Sequence, residues 1–322
     1  MAEHHWLFSK NPGHDFTRQH LGKLSFYDTM RLIISMGKGS TNDEIMDYFD
    51  LDPDLIPSQS AFCQRRRQIS LSAFEYLFSE FSSSFPSTTD KFKDHCILAC
   101  DGCHVVYATN SDIIEDYNKP RLIDYKGYNH MHLNGFVDVI SKAFLDVVIQ
   151  PGQQPDEREA LHSMLDHFTP DDPQKYIITA DRGYESYDLL FHCEFKNLGY
   201  VFRVKSPSSP KSILSYYASE LPDDLEEFDV TIKRFFTDKA TNIMKSHQMF
   251  TATSIPVKIP LIFMSFSGKT TVIFISCSFA LLRSKQPEFL KQEIYSRLIL
   301  YNFGIFIANE AAEENRKKKR DG

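Results

Sequence analysis

The chain has 322 residues, enough for two domains and a large core. With 42% apolar and 25% charged residues it reads as an ordinary globular protein, and a formal net charge of −7 argues mildly against nucleic acid, although local patches set the field a partner meets. No basic-then-apolar leader opens it, and its longest apolar stretch, about 271–282, falls short of the roughly 20 residues a membrane span needs, so secreted and membrane classes are set aside. Six cysteines without framework spacing read as free thiols in a reducing cytoplasm.

Residues 24–85 read as helical. Apolar spacing predicts a helix over 26–36, ended at Gly37. Thr41 and Glu44 have capping-box spacing, and a short helix follows to about Phe49. After the Pro53 and Pro57 turn, Ser58 or Ser60 caps a helix carrying Arg65, Arg66 and Arg67. A second box, Ser72 and Glu75, opens another helix to about Phe85. Helix, turn and basic helix have the outline of a helix-turn-helix DNA reader, and the three arginines are the candidate DNA-binding residues. The bland reading of that patch is a solvated face. The same holds for the basic run at 316–320, where five like charges read as a disordered tail. The best linker is 85–89, so residues 1–88 are expected to form a helical domain and 89–322 the rest.

From Lys93 the period changes. A strand is expected over 96–108, a hairpin of 132–140 and 142–150 around Ser141, and a helix over 156–168. A short apolar strand at 176–180, a helix at 186–198 and a strand at 200–204 follow. Strands with interleaved helices give a mixed α/β sheet. Irregular strand-like segments at 229–236, 249–254, 261–266 and 271–282 make a β-rich insertion at about 206–282. A final helix is expected over 287–310.

Two segments carry the chemistry. Ile97, Leu98, Ala99 and Cys100 deliver Asp101 before Gly102; Ile177, Ile178, Thr179 and Ala180 deliver Asp181 before Arg182 and Gly183. Each reads as a strand that ends on an acid and turns at glycine. Two adjacent aspartates repel each other, and a divalent cation relieves the repulsion. Cleaving a phosphodiester needs an activated oxygen and stabilised charge on phosphorus oxygens, which two metal ions about 3.5–4 Å apart supply.

These residues, with Tyr184, Glu185 and the strand from Tyr200 to Lys205, resemble bacterial insertion-sequence transposases of the DDE class, IS-four branch. So do the segments 24–62 and 285–303. The resemblance implies an RNase H-like catalytic core with a β-rich insertion, preceded by a helical DNA-binding region. It implies metal ligation and catalysis at Asp101 and Asp181 with Mg²⁺ or Mn²⁺. The implied partners are DNA, both element ends and target, and a homodimer on DNA is the expected assembly. In that family the third acid lies in a helix patterned Tyr-x2-Arg-x3-Glu-x6-Lys. This chain holds no such spacing. The reading is an internal loss with an early end, and Glu288 or Glu293 are the available substitutes. The expected function is therefore metal-dependent DNA cleavage and strand transfer in transposition. The alternatives are a catalytically defective remnant that only binds DNA, and a nuclease that cuts without joining.

Weaker constellations remain. Cys96, Cys100 and Cys103 with His95 and His104 hint at zinc, but strand alternation puts Cys100 and Cys103 on opposite faces. His130 and His132 share a face. Lys119, Arg121 and Lys126 are basic enough to line a DNA path.

Overall fold

The computed structural model describes residues 6–16, 24–37, 39–84, 92, 94–120, 127–206, 208–215, 229–234, 257–262, 282 and 284–320. Four helices come first: α1 (Phe26–Ser35), α2 (Thr41–Tyr48), α3 (Gln59–Gln68) and α4 (Ser72–Ser83). Ser25 and Asp28 close a reciprocal capping box at the start of α1. In α2 the box is Ser40 with Asp43, one residue earlier than the expected Thr41 and Glu44. Glu44 turns back instead and accepts from the Gly37 and Gly39 amides at 2.7 and 2.5 Å, pinning the loop before its own helix. Ser58 caps α3 as expected. The expected Ser72 box does not form. Ser72 is already inside α4, and its hydroxyl donates to Ser70 Oγ.

The sheet follows: β1 (Cys96–Tyr107), β2 (Tyr117–Asn118), β3 (Tyr128–Asp138), β4 (Phe144–Pro151), then α5 (Glu157–His167), β5 (Tyr176–Ala180), α6 (Tyr187–Phe195) and β6 (Gly199–Phe202). Across the sheet the order is β4-β3-β1-β5-β6, with β2 beside the start of β3. The β4-β3-β1 half is antiparallel, with a short connection between β3 and β4 and a longer one, carrying β2, between β1 and β3. The β1-β5-β6 half is parallel, and α5 and α6 are in the connections that parallel pairing demands. Between β6 and the last helix, β7 (Asp229–Arg234) and β8 (Val257–Ile262) pair antiparallel. That hairpin lies inside the expected β-rich insertion; 249–254, 263–266 and 271–281 lie outside the described residues.

Alternation along the strands gives the sheet two packed faces. Leu98 and Cys100 join Leu161, Leu165, Ile178 and Leu189 on the α5 and α6 side. Val105, Tyr107 and Leu133 join Phe74, Phe78, Leu290 and Leu298 on the other. Leu290 and Leu298 belong to α7 (Pro287–Arg320), which packs on α1, α4 and β4. The helix runs ten residues beyond the expected end at 310, so the 316–320 basic run is helical, not a free tail. The N-terminal helices, α7 and one sheet face share a single apolar cluster. The expected boundary at 88/89 falls outside the described residues, but these helices have no core of their own apart from the sheet.

Under the other face, α5 and α6 meet through two buried histidines. The His162 and His192 rings stack 5.1 Å apart, with their Nδ1 atoms 2.9 Å from each other. His162 Nε2 lies 2.8 Å from Asp188; His192 Nε2 lies 3.2 Å from Asp166, out of line for a hydrogen bond. An N–H···N contact leaves one Nδ1 bare. Burial first, then the His162 charge, hold the His192 pKa well below its ordinary value, against the pull of Asp166 and Asp188 and with a smaller push from Lys196. The unfolded chain therefore takes up the proton first as pH falls. Stability is whole above the ordinary histidine value of about 6.5 and declines below it toward the depressed folded value. Urea midpoints should fall between pH 7.5 and pH 5, and His192→Gln should flatten that decline. An equally steep decline in the variant would place the sensitivity elsewhere.

Candidate active site

Asp101 and Asp181 come together because β1 and β5 are parallel and in register. Cys100 pairs with Ala180, the last rung of the ladder, and the two acids follow one residue later on each strand. There β5 stops. β1 does not: it runs six residues past Asp101 and keeps pairing with β3. Asp101 is thus inside a strand, contrary to the expected turn at Gly102. Asp101 and Asp181 thus stand on neighbouring strands just past the last rung that β5 makes with β1.

Neither glycine beside the acids is needed for an unusual backbone angle. Gly102 is needed for close approach, while Gly183 lies under the movable end of a carboxylate. A Cβ on Gly102 would lie 2.5 Å from His132 Nε2, and one on Gly183 would lie 2.4 Å from Glu157 Oε2. The residues after Asp181 form a turn closed by the Tyr184 amide on the Asp181 carbonyl at 3.0 Å. Tyr184 is buried and donates to Asn134 Oδ1 on β3 at 3.0 Å. Glu185, also buried, accepts from the Lys205 amide and from Lys205 Nζ at 2.6 and 2.8 Å. The Arg203 amide donates to the Ala180 carbonyl, and its guanidinium lies 3.4 Å from Asp181 across an exposed contact. Such a surface pair contributes little, about 0–1 kcal/mol. Both expected segments, the Asp-Arg-Gly-Tyr turn and the strand before Lys205, are therefore one locked unit holding Asp181 in place.

Glu157 was missed in the sequence. It is the first residue of α5, where an acid ordinarily does no more than oppose the helix dipole. Here it reaches over the Asp181 turn to Gly183, and its Oε1 lies 3.5 Å from His132 Nε2. The only sequence signal was an acid opening the helix between the two aspartates. Asp101 feels the crowd: its pKa is raised, by burial first and then by Asp181 and Glu157, against the Gly102 amide and His132. The donors are carboxylate oxygens whose mutual repulsion a hard divalent cation would relieve, so they suit Mg²⁺ or Mn²⁺. Among the described residues no three His, Cys, Asp or Glu side chains already surround one point. Asp101 and Asp181 follow one rung of the ladder without being gathered around a point.

Other sequence candidates lie elsewhere. Glu288 pairs with Lys10 at 2.6 Å, and Glu293 with Arg66 at 3.2 Å, so both substitutes for the third acid tie α7 to the N-terminal region. Arg66 is buried and cannot read DNA. Three consecutive helical residues fan over about 200°, so a continuous arginine triplet cannot share one face. Arg67 is exposed; Arg65 is partly exposed, donating to Gln68 and lying over the Phe16 ring. Cys100 and Cys103 do fall on opposite faces of β1. His104 stands opposite His132 in register, with ring centres 5.0 Å apart, and His130 is held by Asn118. Lys119 is exposed, while Arg121 and Lys126 lie outside the described residues.

A family model described as Transposase DDE domain matches residues 92–261, just over half of the chain and a span containing both aspartates and Glu157. No curated protein sequence matches. Among solved structures the chain is similar to the Drosophila P element transposase strand transfer complex, at 15% identity over 62% of this chain and 44% of that one, with a TM-score of 0.32. It is similar to the piggyBac transposase synaptic complex with hairpin DNA at 12% identity over 64% and 45%, with a TM-score of 0.32. For the Mos1 mariner paired end complex with Mn the values are 11% identity, 62%, 65% and 0.24. The chain spans less than half the length of the first two. These structural likenesses are faint, and the family match stands on its own.

Proposed function

Since the chain belongs to the Transposase DDE domain family, we propose that it is an insertion-sequence transposase that cleaves DNA at element ends and joins them to a target. The observation that carries the reading is the pairing of Asp101 and Asp181 one step beyond the last rung of a parallel ladder. The strand order β4-β3-β1-β5-β6, with its antiparallel and parallel halves, supports an RNase H-like core. Asp101 and Asp181 would hold Mg²⁺ or Mn²⁺, which stabilises charge on the phosphorus oxygens and activates the attacking oxygen. The protein's share is placement. The turn from Asp181 to Tyr184 is fixed to β3, and Glu185 is fixed to Lys205, so Asp181 is held in place by buried hydrogen bonds. DNA, both ends and target, is the partner, and the assembly on DNA is a homodimer. The site of action is the cytoplasm. The IS-four branch is the closer affiliation.

The test uses the purified chain with Mg²⁺ or Mn²⁺ and DNA carrying the sequences that flank its coding region. Nicked ends and joined products are expected. Nicks without joints would favour a nuclease, and binding without nicks would favour the defective remnant.

In this reading α3 meets DNA through Arg65 and Arg67, and Arg66 is excluded. Replacing both with Ala should flatten the log-log salt dependence of duplex binding by about 1.8, at about 0.9 per lost phosphate contact. An unchanged slope would show that the two charges are only solvated.

A further inference from the structure

We propose that the outer strip of the sheet face shared by β1 and β3, with His104 and Tyr128 exposed on it, is a stacking platform for an unpaired base of single-stranded DNA, and that Lys119 at its edge takes the phosphate. The inference rests on the DNA-directed reading above for its choice of ligand and adds a contact to it. It uses neither Asp101 nor Asp181.

The strip exists because α5 and α6 cover only part of this face. Leu98 and Cys100 of β1 and Phe136 of β3 are buried against those helices. Side chains alternate along a strand, so His104 and Val106 continue the same face on β1, and His132, His130 and Tyr128 continue it on β3. By the same alternation Asp101 belongs to the other face. The first residue of α5, Glu157, lies 3.5 Å from His132. Past that point both strands run on. His104 is exposed, Val106 is 57% exposed and Tyr128 is 48% exposed.

The rings on the strip are packed together before any ligand arrives. His104 meets His130 and His132 edge-on, with ring centres 4.6 and 5.0 Å apart, and Tyr128 lies 5.6 Å from His130. His130 is buried and held by Asn118. Rings fixed in this way lose little freedom when a flat ligand settles on them. Burial first, then the two neighbouring imidazoles, lower the His104 pKa against Glu157. Burial also lowers that of His130, against Asp116 and the Gly152 backbone. A neutral imidazole offers one donor and one acceptor nitrogen. The strip is therefore aromatic, uncharged at neutral pH and able to hydrogen-bond, which matches a base and not a phosphate. The cation for the phosphate is Lys119. It is exposed and follows Asn118, which stands opposite Tyr128 in the β2–β3 ladder. At the other end of the strip Glu157 repels phosphate, so the sugar-phosphate chain passes on the Lys119 side. Bases inside a duplex have their faces stacked on one another, so the platform takes an unpaired one. Such stacking tolerates any sequence, because every base has a π-face.

The experiment is a fluorescence-anisotropy titration of the full chain, without divalent metal, against three labelled probes: a short oligothymidine, the same oligomer made abasic, and a duplex. Tyr128→Ala should weaken oligothymidine binding roughly 10-fold and leave duplex binding unchanged, while Tyr128→Phe, which keeps the ring, should bind as wild type does. The abasic oligomer should bind wild type and Tyr128→Ala equally weakly. Lys119→Ala should flatten the log-log salt dependence of oligothymidine binding by about 0.7. Thermal melts check that each variant is folded; if Tyr128→Ala melts early, the abasic oligomer on wild type decides. The proposal is overturned if Tyr128→Ala binds oligothymidine as tightly as wild type, if Tyr128→Phe loses as much as Tyr128→Ala, or if wild type binds the abasic oligomer as tightly as oligothymidine. If wild type binds the duplex but not oligothymidine, the platform falls and the DNA reading stands. If it binds neither, both fall.

Discussion

Replacing Asp101 with Asn removes metal-dependent nicking and joining, by roughly 10³-fold or more, while the fold stays intact. Losing only an outer partner of a metal ligand costs about 10–100-fold, so losing a ligand costs more. Three decades of rate correspond to about 4 kcal/mol of transition-state stabilisation. Stability moves differently. Among the described residues the Asp101 side chain makes a single hydrogen bond, from the adjacent Gly102 amide at 2.9 Å, and its charge is disfavoured by burial and by Asp181 and Glu157. Removing that charge relieves repulsion, so the melting temperature should hold or rise slightly. DNA binding through α3 should persist. Nicking assays beside thermal melts check both halves. A variant that nicks at the wild-type rate would remove Asp101 from the site; one that melts far earlier would make it a structural residue.

Arg66→Ala does the reverse: it destabilises the fold without touching the chemistry. Arg66 donates to Gln292 at 2.9 Å, to Glu293 at 3.2 Å and to the Phe289 carbonyl at 2.7 Å, and its guanidinium lies 4.5 Å from the Phe289 ring centre. Burial lowers its pKa, and Glu293 opposes that. Removing Arg66 takes from Glu293, which is only 14% exposed, its guanidinium partner and leaves the Ser284 amide and hydroxyl as neutral donors. Breaking a buried pair in this way costs about 3–5 kcal/mol. Arg67→Ala, on the exposed side of the same helix, should stay within about 0.5 kcal/mol. Urea unfolding of the two variants separates them. Equal stabilities would mean that the α3–α7 bond set contributes nothing.

Much of the fold was legible because it is written in local pattern. The all-apolar run of β5 was found with its ends correct, and β1 was within one residue of its end. The strand β3 was found but expected four residues late, from 132, and two too far, to 140, while the helix period of α5 placed both its ends within one residue. What failed depended on tertiary contact. Ser72 with Glu75 and Thr41 with Glu44 satisfy the capping spacing as well as Ser40 with Asp43 does, and only the path of the preceding loop decides among them. The arginine triplet reads as one patch in a string of letters, but a helix turns each residue by about 100°. Glu157 was invisible for another reason. An acid at a helix start has an ordinary local explanation, and its reach to Gly183 exists only once β4, α5 and β5 are assembled. Gly102 was noticed as a turn residue but lies inside β1, where it leaves room for His132, whereas Gly183 is in the turn as expected.

The last helix has a bearing on how the chain is made. Asn302 accepts from the Phe144 amide at 2.9 Å and donates to the Phe144 carbonyl and to Ser82 Oγ at 2.8 and 3.1 Å. Gln292 donates to the Ile69 carbonyl across 223 residues of sequence. The first four helices thus leave the ribosome long before the segment that seals their apolar surface is synthesised. Contacts this distant in sequence slow folding, and exposed apolar surface invites aggregation meanwhile. The same delay has a use. Until α7 docks, Arg66 and the helix that carries it lack their anchor, so a nascent chain still on its messenger has not yet assembled the layer in which α3 packs on α7.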